Sequence, residues 1–188
     1  ASGKSKISNE LSKHLNVKVF CSDLVRKELF GLKPHDFMDV SFEKGIYSKE
    51  ASSLTYGKLL LLAQEEIEKG ASVILDATFG NKHQRDEALR LAKDMDANIV
   101  FVECCAPVNL YRARLIKRET RPCISDARIR HFERFKKRFE PLNEIPDEMH
   151  IRINTEKLLT ENIHNLLSQG NMLPLKENAG AGSSLRIL

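Results

Sequence analysis

The sequence predicts an α/β fold, a parallel sheet with helices packed on both faces. Three observations predict it. Short apolar strands alternate with amphipathic helices along the chain, a glycine–lysine loop fragment opens directly into the first helix, and the strand V-I-L-D ends on a carboxylate, Asp76. Strand–helix alternation needs crossover connections, and crossovers place helices on both faces of a parallel sheet.

Residues 4–15 read as a helix because Ile7, Leu11 and Leu15 share one stripe. Residues 17–21 form a short strand, and residues 23–29 a short helix closed by Gly31 and Pro34. Residues 30–47 read as a loop or lid segment. A long helix starts near Ser48, carries Glu50 at one end and Glu65, Glu66 and Glu68 at the other, and stops at Gly70. Residues 72–76 are a buried strand. Residues 82–95 are helical with Ala88, Leu91, Ala92 and Met95 facing inward, and residues 98–104 are another strand. Pro107 opens a helix that carries through Arg118, and Ser125 and Asp126 cap a further helix ending near Phe139. Residues 150–154 alternate as a strand, and residues 155–169 form the closing helix. Residues 171–188, with A-G-A-G-S-S among them, are expected to be a disordered tail behind a single domain at 1–170.

The length of 188 residues suits one domain with a sizeable core. An apolar content of 41% and a charged content of 30% are those of a globular chain, which excludes fibrous and disordered classes. No apolar run approaches a membrane span. Cys21, Cys104, Cys105 and Cys123 lack C-x-x-C spacing, so they read as buried reduced thiols of a cytoplasmic protein. The six histidines have no metal-ligand spacing.

The opening residues Ala1-Ser2-Gly3-Lys4-Ser5 are the back half of G-x-x-x-x-G-K-[ST]. In such a loop, successive backbone N–H groups wrap a phosphate, the lysine ammonium reaches the β/γ oxygens and the serine hydroxyl holds Mg²⁺. The following helix aims its positive end at the same anion. A phosphate loop follows a strand, and none precedes Ala1. The first strand of the sheet is therefore expected to be missing from this chain, with about ten or more further residues supplying it and the leading glycine.

Three other places suggest chemistry. Asp76, at a strand's carboxyl end, is placed to order a Mg²⁺ shell or a substrate hydroxyl, or else to cap the next turn. Asp23 follows the second strand at the same sheet edge, where it could take the proton of an attacking hydroxyl. Arg26 is three residues on and shares its helical face, ready to hold a substrate; the alternative is an aspartate serving a helix N-terminus beside a solvated arginine. Arg114, Arg118 and Arg121 fall at i, i+4 and i+7, presenting guanidiniums suited to a transferring phosphoryl group, or a solvated face.

The ordered series A-S-G-K-S, C-S-D-L-V-R-K-E-L-F-G, G-A-S-V-I-L-D-A-T-F, C-C-A-P, R-A-R-L-I-K-R, S-D-A and F-E-P resembles the AAA-type ATP-binding, predicted-kinase family. That family belongs to the P-loop kinases and is related to the kinase domain of phage polynucleotide kinase, to gluconate kinases and to zeta toxins. The resemblance implies a three-layer P-loop kinase fold with a helical lid over residues 112–126. It implies that Ala1, Ser2, Gly3, Lys4 and Ser5 bind ATP and Mg²⁺, and that Asp23 stands at the general-base position with Arg26 contacting substrate. Arg114 and Arg118 match lid arginines. Asp76 and Thr78 fall in the strand-end motif near the acceptor, and Arg85 matches a recurring arginine of the next helix. The family's members also occur fused to other domains.

The expected activity is transfer of the ATP γ-phosphoryl group to a hydroxyl of a small molecule, with Lys4, Asp23, Arg114 and Arg118 catalytic and Ser5 and Asp76 holding the metal. Two alternatives are a polynucleotide 5′-hydroxyl kinase, for which aromatics are sparse, and a non-catalytic ATP-binding module.

Overall fold

The computed structural model describes residues 1–36, 45–120, 124–169 and 183–188. The expectations for residues 37–44 of the loop or lid segment, for Arg121 and Cys123, and for residues 170–182 of the tail lie outside the described residues.

A glycine at positive φ starts the first helix. Gly3 has φ 96°, and its carbonyl accepts from Lys6 and Ile7 to begin α1 (Lys4–Leu15). Then follow β1 (Lys18–Cys21), α2 (Ser22–Leu29), a 3₁₀ turn (Gly45–Tyr47) and α3 (Lys49–Glu68). Ser48 caps α3 by accepting from the Ala51 N–H at 3.1 Å. After β2 (Val73–Asp76), Asn81 caps α4 (Lys82–Asp94) by accepting from the Gln84 N–H at 2.9 Å. The chain continues through β3 (Asn98–Cys105), α5 (Val108–Glu119), a 3₁₀ turn (Ile129–His131), α6 (Phe132–Arg138), a 3₁₀ turn (Asp147–Met149), β4 (His150–Asn154), α7 (Leu159–Leu167) and β5 (Ser184–Ile187).

The five strands form one parallel sheet in the order β1-β2-β5-β3-β4. Alternate residues of each strand serve opposite layers. Val73, Leu75, Ile99, Phe101, Leu185 and Ile187 pack under Leu59, Ala63 and Ile67 of α3 and Ala88 and Ala92 of α4. Ile74, Val100, Val102, Ile151 and Ile153 pack under Ile7 and Leu11 of α1 and Ile163 and Leu166 of α7. This is the expected three-layer arrangement. Among the described residues no helix is long and apolar enough to cross a membrane.

Three expectations are corrected. Residues 184–187, expected within a disordered tail, form β5 between β2 and β3 and take the central place that the sequence leaves open. The reason is burial: Leu185, Ile187 and Leu188 are at most 5% exposed, each side chain worth about 1.5–3 kcal/mol, and Arg186 between them is fully buried as well. The helix expected from Ser125 and Asp126 starts only at Phe132 after a 3₁₀ turn, and Asp126 is buried against α2 instead of capping it. The closing helix begins at Leu159, because Thr155 is held in the turn before it by bonds to Cys105 and Ser2.

Candidate functional site

The carboxyl edge of the sheet brings Lys4, Asp23 and Asp76 together. Cys21 of β1 and Asp76 of β2 are register partners there, so the ends of two parallel strands meet. Lys4, in the first turn of α1, sets its Nζ 2.6 Å from Asp76 Oδ1; the Asp76 side chain is 3% exposed. Burial works against the Lys4 ammonium, but the charges of Asp76 and then Asp23 outweigh it and hold the amine above its ordinary pKa. Asp23, in the first turn of α2, is half-buried and close enough for its charge to act on Lys4, Cys21, Tyr47 and Tyr56. Lys4, Asp23 and Asp76 thus form one cluster, with the Ser5 side chain exposed beside it.

The loop is shaped from behind by residues the sequence does not mark. Thr155 Oγ1 donates to the Ser2 carbonyl at 2.6 Å, lies 3.1 Å from the Cys105 carbonyl and accepts from Arg114 Nη1 at 2.9 Å. A Cβ placed on Gly3 would meet the Thr155 side chain at 3.1 Å. The loop backbone is therefore drawn to within glycine distance of its support, and the α1 N-terminus has no side-chain cap. An uncapped helix N-terminus of this kind can receive an anion.

Arg114 reaches the loop from α5. Its Nη1 donates to the Ala1 and Ser2 carbonyls at 3.3 Å and its Nη2 to the Thr155 carbonyl at 2.7 Å, so it braces the loop. Arg118, one turn further along α5, is half-buried and lies where its charge acts on the Ala1 nitrogen.

Arg26 is also committed. It is 5% exposed, its Nη1 donates to the Ile46 carbonyl at 2.6 Å and its guanidinium lies 4.9 Å from the Tyr47 ring centroid. Beside it, Tyr47 OH donates to Asp126 Oδ2 at 2.8 Å, and the buried Lys27 ammonium lies 3.4 Å from Asp126 Oδ1 and 3.1 Å from the Pro34 carbonyl. Burial, then Asp23 and Asp126, push the Tyr47 hydroxyl above its ordinary pKa, so it stays a donor. This Lys27–Asp126–Tyr47 cluster joins α2 and the turn before α3 to the segment that follows α5.

Arg85 is not brought to the cluster. It is fully buried, with Nε on Glu144 and Nη1 and Nη2 on the Phe79 and Pro141 carbonyls. It supports the turn after β2, where Phe79 holds φ 42° and stacks edge-on against Tyr56 with centroids 5.1 Å apart. The same turn leaves Thr78 exposed beside Asp76. Cys104 is pushed up to about 12, chiefly by burial, and is a protonated thiol at neutral pH. Among the described residues no group of histidine, cysteine, aspartate or glutamate forms a ready metal site.

Residues 1–142 match the profile of a family described as an AAA domain. Uncharacterized proteins of Mycobacterium bovis and Mycobacterium tuberculosis are 30% identical to the chain over 116 residues, which is 62% of this chain and 23% of theirs. The chain therefore spans about a quarter of the length of the curated relatives it matches. Among solved structures, an unliganded sugar kinase from a Janibacter species superposes with a TM-score of 0.66 at 16% identity, covering 92% of this chain and 90% of that one. A candidate kinase from Chloroflexus aurantiacus superposes at 0.67 and 17% identity, covering 90% and 92%. At these identities the two structures speak for the fold.

Proposed function

This chain belongs to the AAA-domain family and has a P-loop kinase-like fold, and on that premise we propose that it transfers the γ-phosphoryl group of ATP to a hydroxyl of a small molecule. The observation that carries the reading is the Lys4–Asp76–Asp23 cluster at the carboxyl edge of the sheet, beside a glycine loop pinned by Thr155.

Lys4 holds an ammonium against an anionic site despite its burial, and it would bring that charge to the β/γ oxygens. The amides opening α1 would receive a phosphate, and Arg114 keeps their backbone in place. Ser5 and Asp76 would hold Mg²⁺, which neutralises charge on the phosphates when bound. Asp23 would accept the proton of the acceptor hydroxyl. Arg118 would add positive charge over the transferring group.

The test is ATP binding by calorimetry followed by a phosphoryl-acceptor screen of sugars, other small alcohols and 5′-hydroxyl oligonucleotides. ATP-dependent phosphorylation of a small alcohol is the expected result. Binding with no acceptor turned over would instead fit a nucleotide-binding module, and absence of ATP binding would remove the reading.

A further inference from the structure

The middle of the sheet is filled from the far end of the chain. Ser184–Ile187 pairs in parallel with β2 on one side and β3 on the other. The ladder runs past both ends of the strand. Asn98 N–H donates to the Ser183 carbonyl at 3.0 Å, Leu188 N–H donates to the Leu75 carbonyl at 2.9 Å, and Ala77 N–H donates to the Leu188 carbonyl at 2.9 Å. Ser183 Oγ donates to the Ile67 carbonyl at 3.2 Å and Ser184 N–H to Ser72 Oγ at 3.2 Å, which fixes the segment along its length. Side chains enter both layers: Leu185 and Ile187 lie under α3 and α4, and Leu188 lies in the cluster of Ile7 and Leu11 from α1. Without this strand, β2 and β3 would each present a bare edge inside the domain.

The strand also ends beside the loop. Leu188 is bonded to Leu75 and Ala77, the two neighbours of Asp76, and Asp76 carries the ion pair to Lys4. The helix that Gly3 and Lys4 open rests on the same cluster as Leu188. Seating of the strand and placement of the Lys4–Asp76 pair share one set of contacts.

We propose that the cleft between β2 and β3 is a binding site for one parallel β-strand that buries Leu185, Ile187 and Leu188 together with the side chain of Arg186, that residues 183–188 are its occupant, and that its occupation sets the geometry of the Gly3–Lys4 loop. Main-chain bonds on two edges supply affinity, and the alternate side chains supply selectivity. The consequence for nucleotide rests on the function proposed above, whereas the strand site does not.

Two experiments on the full chain decide it. Ile99→Cys with Leu185→Cys places thiols on register partners of β3 and β5, whose spacing of about 4.8 Å lies within disulfide reach. Mild oxidation is expected to join positions 99 and 185 within one chain, read by peptide mass spectrometry. A link found only between chains, or none in the folded protein, overturns the assignment. Second, a specific protease site placed between Gln169 and Ser183 allows the strand to be cut from the folded chain. The fragment is expected to stay bound through gel filtration and to exchange with excess labelled 183–188 peptide, but not with a peptide carrying Asp for Leu185 and Ile187. Stripping the fragment in mild denaturant is expected to weaken ATP binding about tenfold or more, with recovery on adding peptide. Loss of the fragment with unchanged amide exchange in β2 and β3, or failure of the peptide to return, overturns the proposal. If the uncut protein binds no ATP, the proposed function falls while the crosslink and peptide exchange still decide the strand site.

Discussion

Thr155 donates its hydroxyl proton to the Ser2 carbonyl at 2.6 Å while Arg114 donates to the same hydroxyl at 2.9 Å. A residue just past β4 thus holds the back of a loop that lies more than a hundred residues earlier in the chain. The side chain that makes these bonds also stands against Gly3, so the loop's path and its hydrogen bonds have one cause.

Thr155→Val should remove the shorter of the two hydrogen bonds to the Ser2 carbonyl, costing about 0.5–1.5 kcal/mol and weakening ATP binding several-fold. Thr155→Ser should restore most of both. Gly3→Ala should be worse for binding than for stability, because φ 96° and the 3.1 Å approach both oppose a Cβ. Calorimetry and denaturant titration on the three variants check this. Equal ATP affinity in Thr155→Val and the parent protein would sink the bracing role.

Asp23→Asn should keep ATP affinity and lower turnover by about 10²–10⁴-fold. Lys4→Ala should weaken binding and turnover together, since its charge serves both, and should leave Asp76 buried without its ion pair. Normal turnover by Asp23→Asn would assign the base elsewhere.

Asp126→Ala should destabilise the fold by about 3–5 kcal/mol, because it strands the Lys27 ammonium, 1% exposed, without a carboxylate. Tyr47→Phe removes one bond to the same carboxylate and should cost about 1 kcal/mol. Denaturant midpoints measure both, and a ranking in the opposite order would contradict the cluster's charge logic.

Acid stability should depend on Glu144. The hydrogen bond from Arg85 holds its carboxyl below the ordinary carboxylate range, ahead of the opposing effect of burial. Its folded pKa is therefore lower than its unfolded value of about 4.3. The stability it contributes is present above that value and disappears as pH falls through the folded one. The parent protein should lose more stability than Glu144→Gln between about pH 5 and pH 3. Parallel acid titrations of the two would refute the assignment.

Much of the fold was legible because its signals are local. The Ile7–Leu11–Leu15 stripe, the Ser48 cap and the apolar run V-I-L-D each lie within a few residues, and each element formed within a few residues of its expected bounds. The loop fragment beside α1 and the carboxylate ending β2 were legible for the same reason. Arg114 was not, because helical spacing tells which residues share a face but not what that face meets. Here it meets Thr155 and the Ala1 and Ser2 carbonyls. Arg85 was marked only as a recurring arginine of the helix after β2, and its partners Glu144, Phe79 and Pro141 come from parts of the chain that helical spacing does not reveal.

Local patterning by itself determined the alternation of strands and helices, the sheet's parallel sense and the residue types gathered at its carboxyl edge. Only the tertiary structure decided which of them touch, and that the last strand of the chain lies at the centre of the sheet. Residues 184–187 are too short to show a period, and what makes them a strand is the pair of edges offered by β2 and β3 from distant parts of the chain.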